Sequence, residues 1–502
     1  MTTAIQGLKP ESIWEYFYQI TQIPHGSKNE KAIREYVRSV ANKLNLESRE
    51  DEAGNIVVLK PASKDCSDYP LVTVQSHLDM VCEKNKDVVH DFLKDPLKLK
   101  RDGDWLSAEG TTLGSDNGIG VAISLAIMED KNLAHGPLEF LFTIDEETGL
   151  TGAKALKKGF INSNILINLD TEDEGVFYIG CAGGKDTEII IDLEFEDADS
   201  SYSPYLIKLQ GLKGGHSGSD IGLGRGNAVK LLTRVLWAAH YDRRHVFRLK
   251  QIEGGDKHNA IPREAEAVIY IYSRHINDFK QLIKELENTF TEEFKGVENN
   301  INITLTEYKD TDAKVLIKDL QPAILNMLYA MPHGVISMSH DIADLVETST
   351  NLAAIKLNGN YMNILTSQRS SVASRLKDTS NQIESIVRLT TEAIKFKEDH
   401  QKSGLIAGIK HGDGYPGWKP NLDSKLLKTA TAIYEKMFAK KPEIKAIHAG
   451  LECGIIGEEF PSMDMISMGP SMQGAHSPAE RIYIPSVEKF WGYLLELLKS
   501  IT

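Results

Sequence analysis

The chain has 502 residues, with 57 Lys+Arg against 71 Asp+Glu, a formal net charge of −14 at pH 7 and 41% hydrophobic residues. That length and apolar content support sizeable cores and argue against a disordered chain or a small scaffold held by disulfides. The acidic balance argues against nucleic acid or an anionic membrane as the main partner, because both select a basic footprint.

The first residues, MTTAIQGLKP, show no basic segment followed by an apolar one, so no secretory leader is expected. No apolar run approaches the ~18 residues of a spanning helix. Cys66, Cys82, Cys181 and Cys453 form no CxxC pair, which fits a reducing, cytoplasmic setting. Helical periodicity covers 10–22 and 28–45. Strands are expected at 55–59 and 71–76, then a buried helix at 119–129 and strands at 138–144 and 165–169. Near-continuous apolar strands separated by helices predict a sheet of parallel strands covered on both faces.

After Gly183-Gly184 the pattern alternates, at 188–195 and 205–209. A helix follows at 226–241, strands near 247–252 and 266–272, and a helix at 276–295. A second set repeats that order: strand 301–307, helix 320–330, strands near 351–357 and 361–367, helix 380–396. This predicts an α+β insert that is doubled in element order without a clear sequence repeat. The turn-rich GDGYPGW (412–418) closes it. A helix at 423–438, strands around 444–447 and 463–468 and a helix at 486–500 then resume the first pattern. The expected organisation is a discontinuous α/β domain, 1–185 and 413–502, interrupted by an inserted domain, 186–412.

Several of these strands run into metal-type ligands. LVTVQS leads to His77-Leu78-Asp79, LEFLFTI to Asp145-Glu146-Glu147, ILINL to Asp170, and 463–468 to a loop that reaches His476. Parallel strands share the edge at their carboxyl ends, so these residues would meet there. Asp116, in GSDNG, either caps the buried helix or turns into the same crevice. Taken singly, each is a cap, a turn acid or an ordinary histidine; the set is what suggests a metal site. Two His with several carboxylates suit Zn²⁺, Mn²⁺ or Co²⁺, and the surplus of ligands suits two ions sharing one carboxylate. His77 and Asp79 point the same way on an extended segment, so Asp79 can accept the second ring N–H of His77. Glu146 and Glu147 point apart: one can bind metal while the other acts as general base toward water. The spacing leaves open which does which.

SHLDMVCEKN (76–85), GTTLGSDNGIGVA (110–122), TIDEETGLTGA (143–153), INLDTEDEG (167–175) and GPSMQGAHSPAER (469–481) closely resemble the aminoacyl-histidine dipeptidases. These are cytosolic Xaa-His dipeptidases of the metallopeptidase superfamily that includes carboxypeptidase G and the aminoacylases. The resemblance runs along most of the chain and implies an α/β catalytic domain with a mixed, mostly parallel sheet, interrupted by an α+β lid. It implies two divalent ions, zinc first with cobalt or manganese as alternatives. His77 and Asp170 would hold one ion, Glu147 and His476 the other, and Asp116 would bridge them. Asp79 would orient His77 and Glu146 would be the general base. His216 in KGGHSG resembles the lid histidine that polarises the scissile carbonyl. Asn259 in NAIPREA and Arg369 in SQRSS resemble lid positions that meet the substrate carboxylate. Glu452 in HAGLECG would receive the substrate amine.

The expected activity is hydrolysis of Xaa-His and other short peptides. The rival readings are a metallo-amidohydrolase that deacylates N-acyl amino acids and a non-catalytic, metal-dependent peptide binder. The expected partner is a peptide, with neither nucleic acid nor membrane. A homodimer stays open, with His216 serving its own chain's site or a partner's. No GxxxxGK[ST] or GxSxG motif competes.

Overall fold

The computed structural model describes residues 3–244, 246–310, 312–395 and 407–502, apart from the side chains of 393–395. The last residue of the helix expected at 380–396, and positions 245, 311 and 396–406 of the expected insert, lie outside the described residues. The chain forms two compact units: Met1–Cys181 with Trp418–Ala446 and Leu451–Thr502, and Ala182–Gly417 with Ile447–Gly450.

The first unit is built on an eight-stranded sheet. Its strands are β1 (Glu47–Glu50), β2 (Ile56–Lys60), β3 (Val72–His77), β4 (Leu138–Thr143), β5 (Ile165–Asn168), β6 (Val176–Cys181), β7 (Glu443–Ile447) and β8 (Asp464–Ser467). They lie in the order β1-β2-β4-β3-β5-β8-β6-β7. β3 pairs in parallel with β4 and β5, and β5 with β8. The flanking pairs β1–β2, β2–β4 and β8–β6 are antiparallel. Every residue of β3 and β4 is buried, as expected of strands covered on both faces. Helix α1 (Glu11–Thr21) packs on helix α2 (Ser115–Glu129), which packs on β3. The parallel strands β4, β3, β5 and β8 end at Thr143, His77, Asn168 and Ser467, so the loops beyond them leave from one edge.

The second unit carries a largely antiparallel sheet. Its order is Asn302–Glu307, Tyr202–Gln210, Ala265–Tyr272, Phe247–Gly254, Val346–Asn358, Tyr361–Ser370, Gly183–Asp192, Ala407–His411. Two four-strand halves meet at a single pairing, Gly254 with Ile355. Strand–helix–strand–strand–helix recurs in each half of the chain segment, with helices Ala228–Trp237, Ile276–Glu293, Leu320–Ala330 and Ala373–Lys395. The strand Asn302–Glu307 joins the edge of the first half, while Gly183–Asp192 takes the corresponding place in the second. Ile189, Ile207, Leu249, Ile269, Phe279 and Ile364 belong to its core.

Candidate metal centre

The parallel edge of the first unit gathers the expected ligands. His77, the last residue of β3, is 1% exposed. Its Nδ1 lies 3.4 Å from Asp79 Oδ1, and its Nε2 lies 3.1 Å from Asp116 Oδ1 and 3.4 Å from Asp170 Oδ1. The other oxygen of Asp116 is 3.2 Å from His476 Nε2, which is 3.0 Å from Glu147 Oε2. One carboxylate thus stands between two histidines. His77, Asp116 and Asp170 form one set with donor atoms close enough for a shared ion; Asp116, Glu147 and His476 form another. Glu146 joins a third set with His77 and Glu147.

Local structure explains these positions. Asp116 and Asn117 have non-helical dihedrals at the start of α2, which turns the Asp116 carboxylate to the histidines instead of capping the helix. Asn117 Nδ2 donates to Leu169 O at 2.8 Å and to Asp170 Oδ1 at 2.7 Å. Asp79 accepts from Glu146 N at 3.0 Å, Glu147 N at 3.2 Å and Ser27 Oγ at 2.8 Å. It therefore holds the short helix Glu146–Gly149 at its first turn as well as facing His77.

The electrostatics favour positive charge. Contacts with Asp116 and Glu147 push the His476 imidazole up to about 11. Burial works to lower His77, yet the charge of Asp170 and the Asp116 contact hold it well above its ordinary value. Burial raises Asp79 as well, but His77 and the Glu146 and Ser27 donors outweigh it and hold the carboxyl at about 2. Burial pushes Glu146 well above the ordinary carboxylate range, and the charges of Asp170, Glu452 and Glu147 add to that. Glu147 Oε1 is buried with no hydrogen-bond partner. Clustered carboxylates, imidazole nitrogens and an orphaned oxygen are the donor set a divalent cation satisfies.

Beneath the expected ligands lies a polar layer in which sequence reasoning had named Glu452 but missed its partners. Glu452 Oε2 accepts from Gln75 Nε2 and Thr143 Oγ1, each at 2.7 Å. Gln75 Oε1 accepts from Asn168 Nδ2 at 2.5 Å, and Asn168 Oδ1 accepts from Ser467 Oγ. Gln75, Asn168 and Ser467 are 0% exposed, as is Glu452. The available signal was a polar side chain inside an apolar strand, at Gln75 in LVTVQSH and Asn168 in ILINLD. Glu452 keeps its side chain inside this layer, with Oε1 buried and unpartnered.

The second unit brings together the remaining candidates. His216 pairs with Ala260 in a short ladder, and Ser217 N donates to Asn259 O at 2.8 Å. His216 Nδ1 accepts from Gly218 N at 3.2 Å and Ser219 N at 3.1 Å. That fixes the tautomer, with the proton on Nε2. Burial, then the Arg369 charge, lowers its basicity. A Cβ at Gly218 would meet His216 Cε1 at 3.0 Å and Arg369 Nε at 3.2 Å, so glycine permits this approach. Arg369 is 6% exposed; its guanidinium donates to Tyr415 Oη at 2.9 Å while Nε has no partner. His448 pairs with Ser349 Oγ at 2.7 Å. The sequence did not point to Tyr415 or Ser349.

The model of peptidase family M20/M25/M40 matches residues 73–500. The cytosol non-specific dipeptidase of Escherichia coli (strain K12) is 38% identical over 496 residues, 98% of either chain. The crystal structure of aminoacylhistidine dipeptidase from Vibrio alginolyticus is 38% identical, with a TM-score of 0.89 over 99% of this chain and 98% of that one. Aminopeptidase PepT from Bacillus cereus, 15% identical with a TM-score of 0.58 over 98% of this chain and 99% of that one, shares the fold.

Proposed function

This chain belongs to peptidase family M20/M25/M40, and we propose that it is a cytosolic dipeptidase that holds two divalent ions and uses Glu146 as its general base. The observation that carries this reading is Asp116, whose two oxygens face His77 and His476 at 3.1 and 3.2 Å. His77 and Asp170 would hold one ion, Glu147 and His476 the other, with Asp116 between them. Zinc suits this mixture of imidazole and carboxylate; cobalt and manganese suit it too. When bound, such a pair supplies Lewis acidity, which acidifies water and polarises a peptide carbonyl.

The chain's own residues do the rest. Asp79 keeps the Nε2 lone pair of His77 toward the ligand cluster. The Glu146 carboxylate takes a proton from water and returns it to the departing amine, a role that suits a carboxyl raised by burial. His216 offers its Nε2–H to the substrate carbonyl, since Nδ1 is already an acceptor. Arg369 and Asn259 take the terminal carboxylate, the former through a guanidinium whose Nε lacks a partner. Full burial of Glu452 favours support of the strand ends over contact with a substrate amine.

The names of the Escherichia coli and Vibrio alginolyticus relatives support dipeptides as substrates, Xaa-His among them, and a cytosolic setting. No described helix is long and apolar enough to cross a membrane. The discontinuous first unit is read as catalytic and the inserted second unit as the substrate-holding lid. The test is a panel of dipeptides and N-acyl amino acids, assayed after chelation and re-addition of each metal. Dipeptides should be cleaved in a metal-dependent way and acylated amino acids spared. Turnover of the acylated compounds alone would make the chain a deacylase, and metal-dependent binding without turnover would make it a binder.

A further inference from the structure

The loops that carry Asp116 and His476 are joined by a residue outside the ligand set. Glu480 is 2% exposed. Its Oε2 accepts from Leu113 N at 2.7 Å and Gly114 N at 3.0 Å. Its Oε1 accepts from Ser115 N at 2.7 Å, Ser115 Oγ at 2.6 Å and Asp116 N at 3.3 Å. One carboxylate therefore grips the whole stretch 113–116 up to the residue placed between the two histidines.

The same residue closes the His476 loop. That loop joins strands Met472–Gln473 and Arg481–Tyr483, which pair with each other, and Glu480 is its last residue. Glu480 N donates to Ser477 O at 3.0 Å, and Ser477 Oγ donates to Gly474 O at 2.7 Å. His476 has a left-handed φ of 61°, so its placement depends on a tightly defined loop. Its side chain is 54% exposed, and its ring meets carboxylates rather than a packed wall. Backbone anchoring, not packing, must therefore hold this imidazole.

We propose that Glu480 is a positioning residue that sets the spacing of Asp116 and His476, and so controls occupancy of the ion site that His476 completes. The proposal rests on the ligand assignment given above. Hydrogen bonds to a charged acceptor are about twice as strong as neutral ones, and five donors on one carboxylate leave the two loops little independent freedom. A glutamine in its place keeps the volume but turns an amide N–H toward backbone N–H donors, which leaves them unpaired. The other ion site shares Asp116 but takes His77 from the end of β3 and Asp170 from just beyond β5, so it feels this change less than the site that depends on both loops.

The experiment is equilibrium dialysis of Co²⁺ into metal-free full-length protein, followed by the visible cobalt spectrum. Wild type should take two ions, and His476→Ala should lose one. Glu480→Gln should weaken that same ion about 10- to 100-fold, as for other residues that orient ligands, and the remaining ion by less, with the metal-free chain still folded at a lower thermal midpoint. Two ions of wild-type affinity and spectrum in folded Glu480→Gln would overturn the proposal alone. Fewer than two ions in wild type, or two in His476→Ala, would overturn the ligand assignment and this proposal with it. If Glu480→Gln does not fold, Ser115→Ala decides, since it removes one donor from the same carboxylate. A smaller weakening of the same ion supports the proposal and no change overturns it.

Discussion

Asp79 accepts from the backbone N–H groups of Glu146 and Glu147 while its carboxylate faces His77. Asp79→Asn keeps the shape but leaves one oxygen to accept, so one of those N–H groups loses its partner in a buried place. Metal affinity should fall about 10- to 100-fold, read by competition with a chelator; unchanged affinity would remove Asp79 from the support of the site. The proposed ligands were legible as candidates because each follows a recognisable strand or lies in a distinctive motif, as with His77 after LVTVQS and Asp170 after ILINL. Asn117 was not, although it touches Asp170 at 2.7 Å. Its contact is set by the unwound start of a helix, which no spacing encodes. Gln75 and Glu452 meet across 377 positions of chain, a pairing that only the strand order creates.

Helix α2 shows how an element carries the site. It is buried along nearly its whole length, and its first turn places Asp116 and Asn117. Gly120 lies one turn on, where a Cβ would run into Asn117 Oδ1 and come within 3.1 Å of Leu169 Cβ. Gly120→Ala should therefore displace the Asn117 amide from Asp170. Metal content after purification should drop while far-UV dichroism stays native; a fully loaded protein would show that the amide is dispensable. The buried helix and apolar strands were readable from composition and length. β1 was not, because ESRE has no apolar face and its residues are exposed or half-buried. The antiparallel flanks of the sheet were likewise hidden, since residue pattern gives burial but not strand direction.

At the scale of the molecule, the second unit carries two histidines kept neutral inside it. Burial, then the Lys230 charge, lowers His333 to about 4; burial, then Arg369, lowers His448 to about 3. Below pH 6.5 the unfolded chain binds these protons and the folded chain does not. Stability is therefore present above that pH and is lost as pH falls, through about 4 for His333 and about 3 for His448. Each group costs up to about 1.4 kcal/mol per pH unit in that window. The thermal midpoint should fall between pH 7 and 5, and the fall should shrink in His333→Asn with His448→Asn; an unaltered acid slope would contradict this. The turn-rich stretch at 412–418 contains the change from the second unit to the first, between Gly417 and Trp418. The return of Ile447–Gly450 to the second unit was unreadable, because it depends on pairings such as Ala182 N with Ile447 O.

In the proposed reaction a cation-binding cluster and a separate carboxylate base divide the chemistry between them. Glu146→Ala tests it most directly, with bound metal and dipeptide turnover measured on the same sample. Two ions retained, with kcat lowered about 10²- to 10⁴-fold, is the expected result. Near-normal turnover in a fully loaded Glu146→Ala protein would contradict the account.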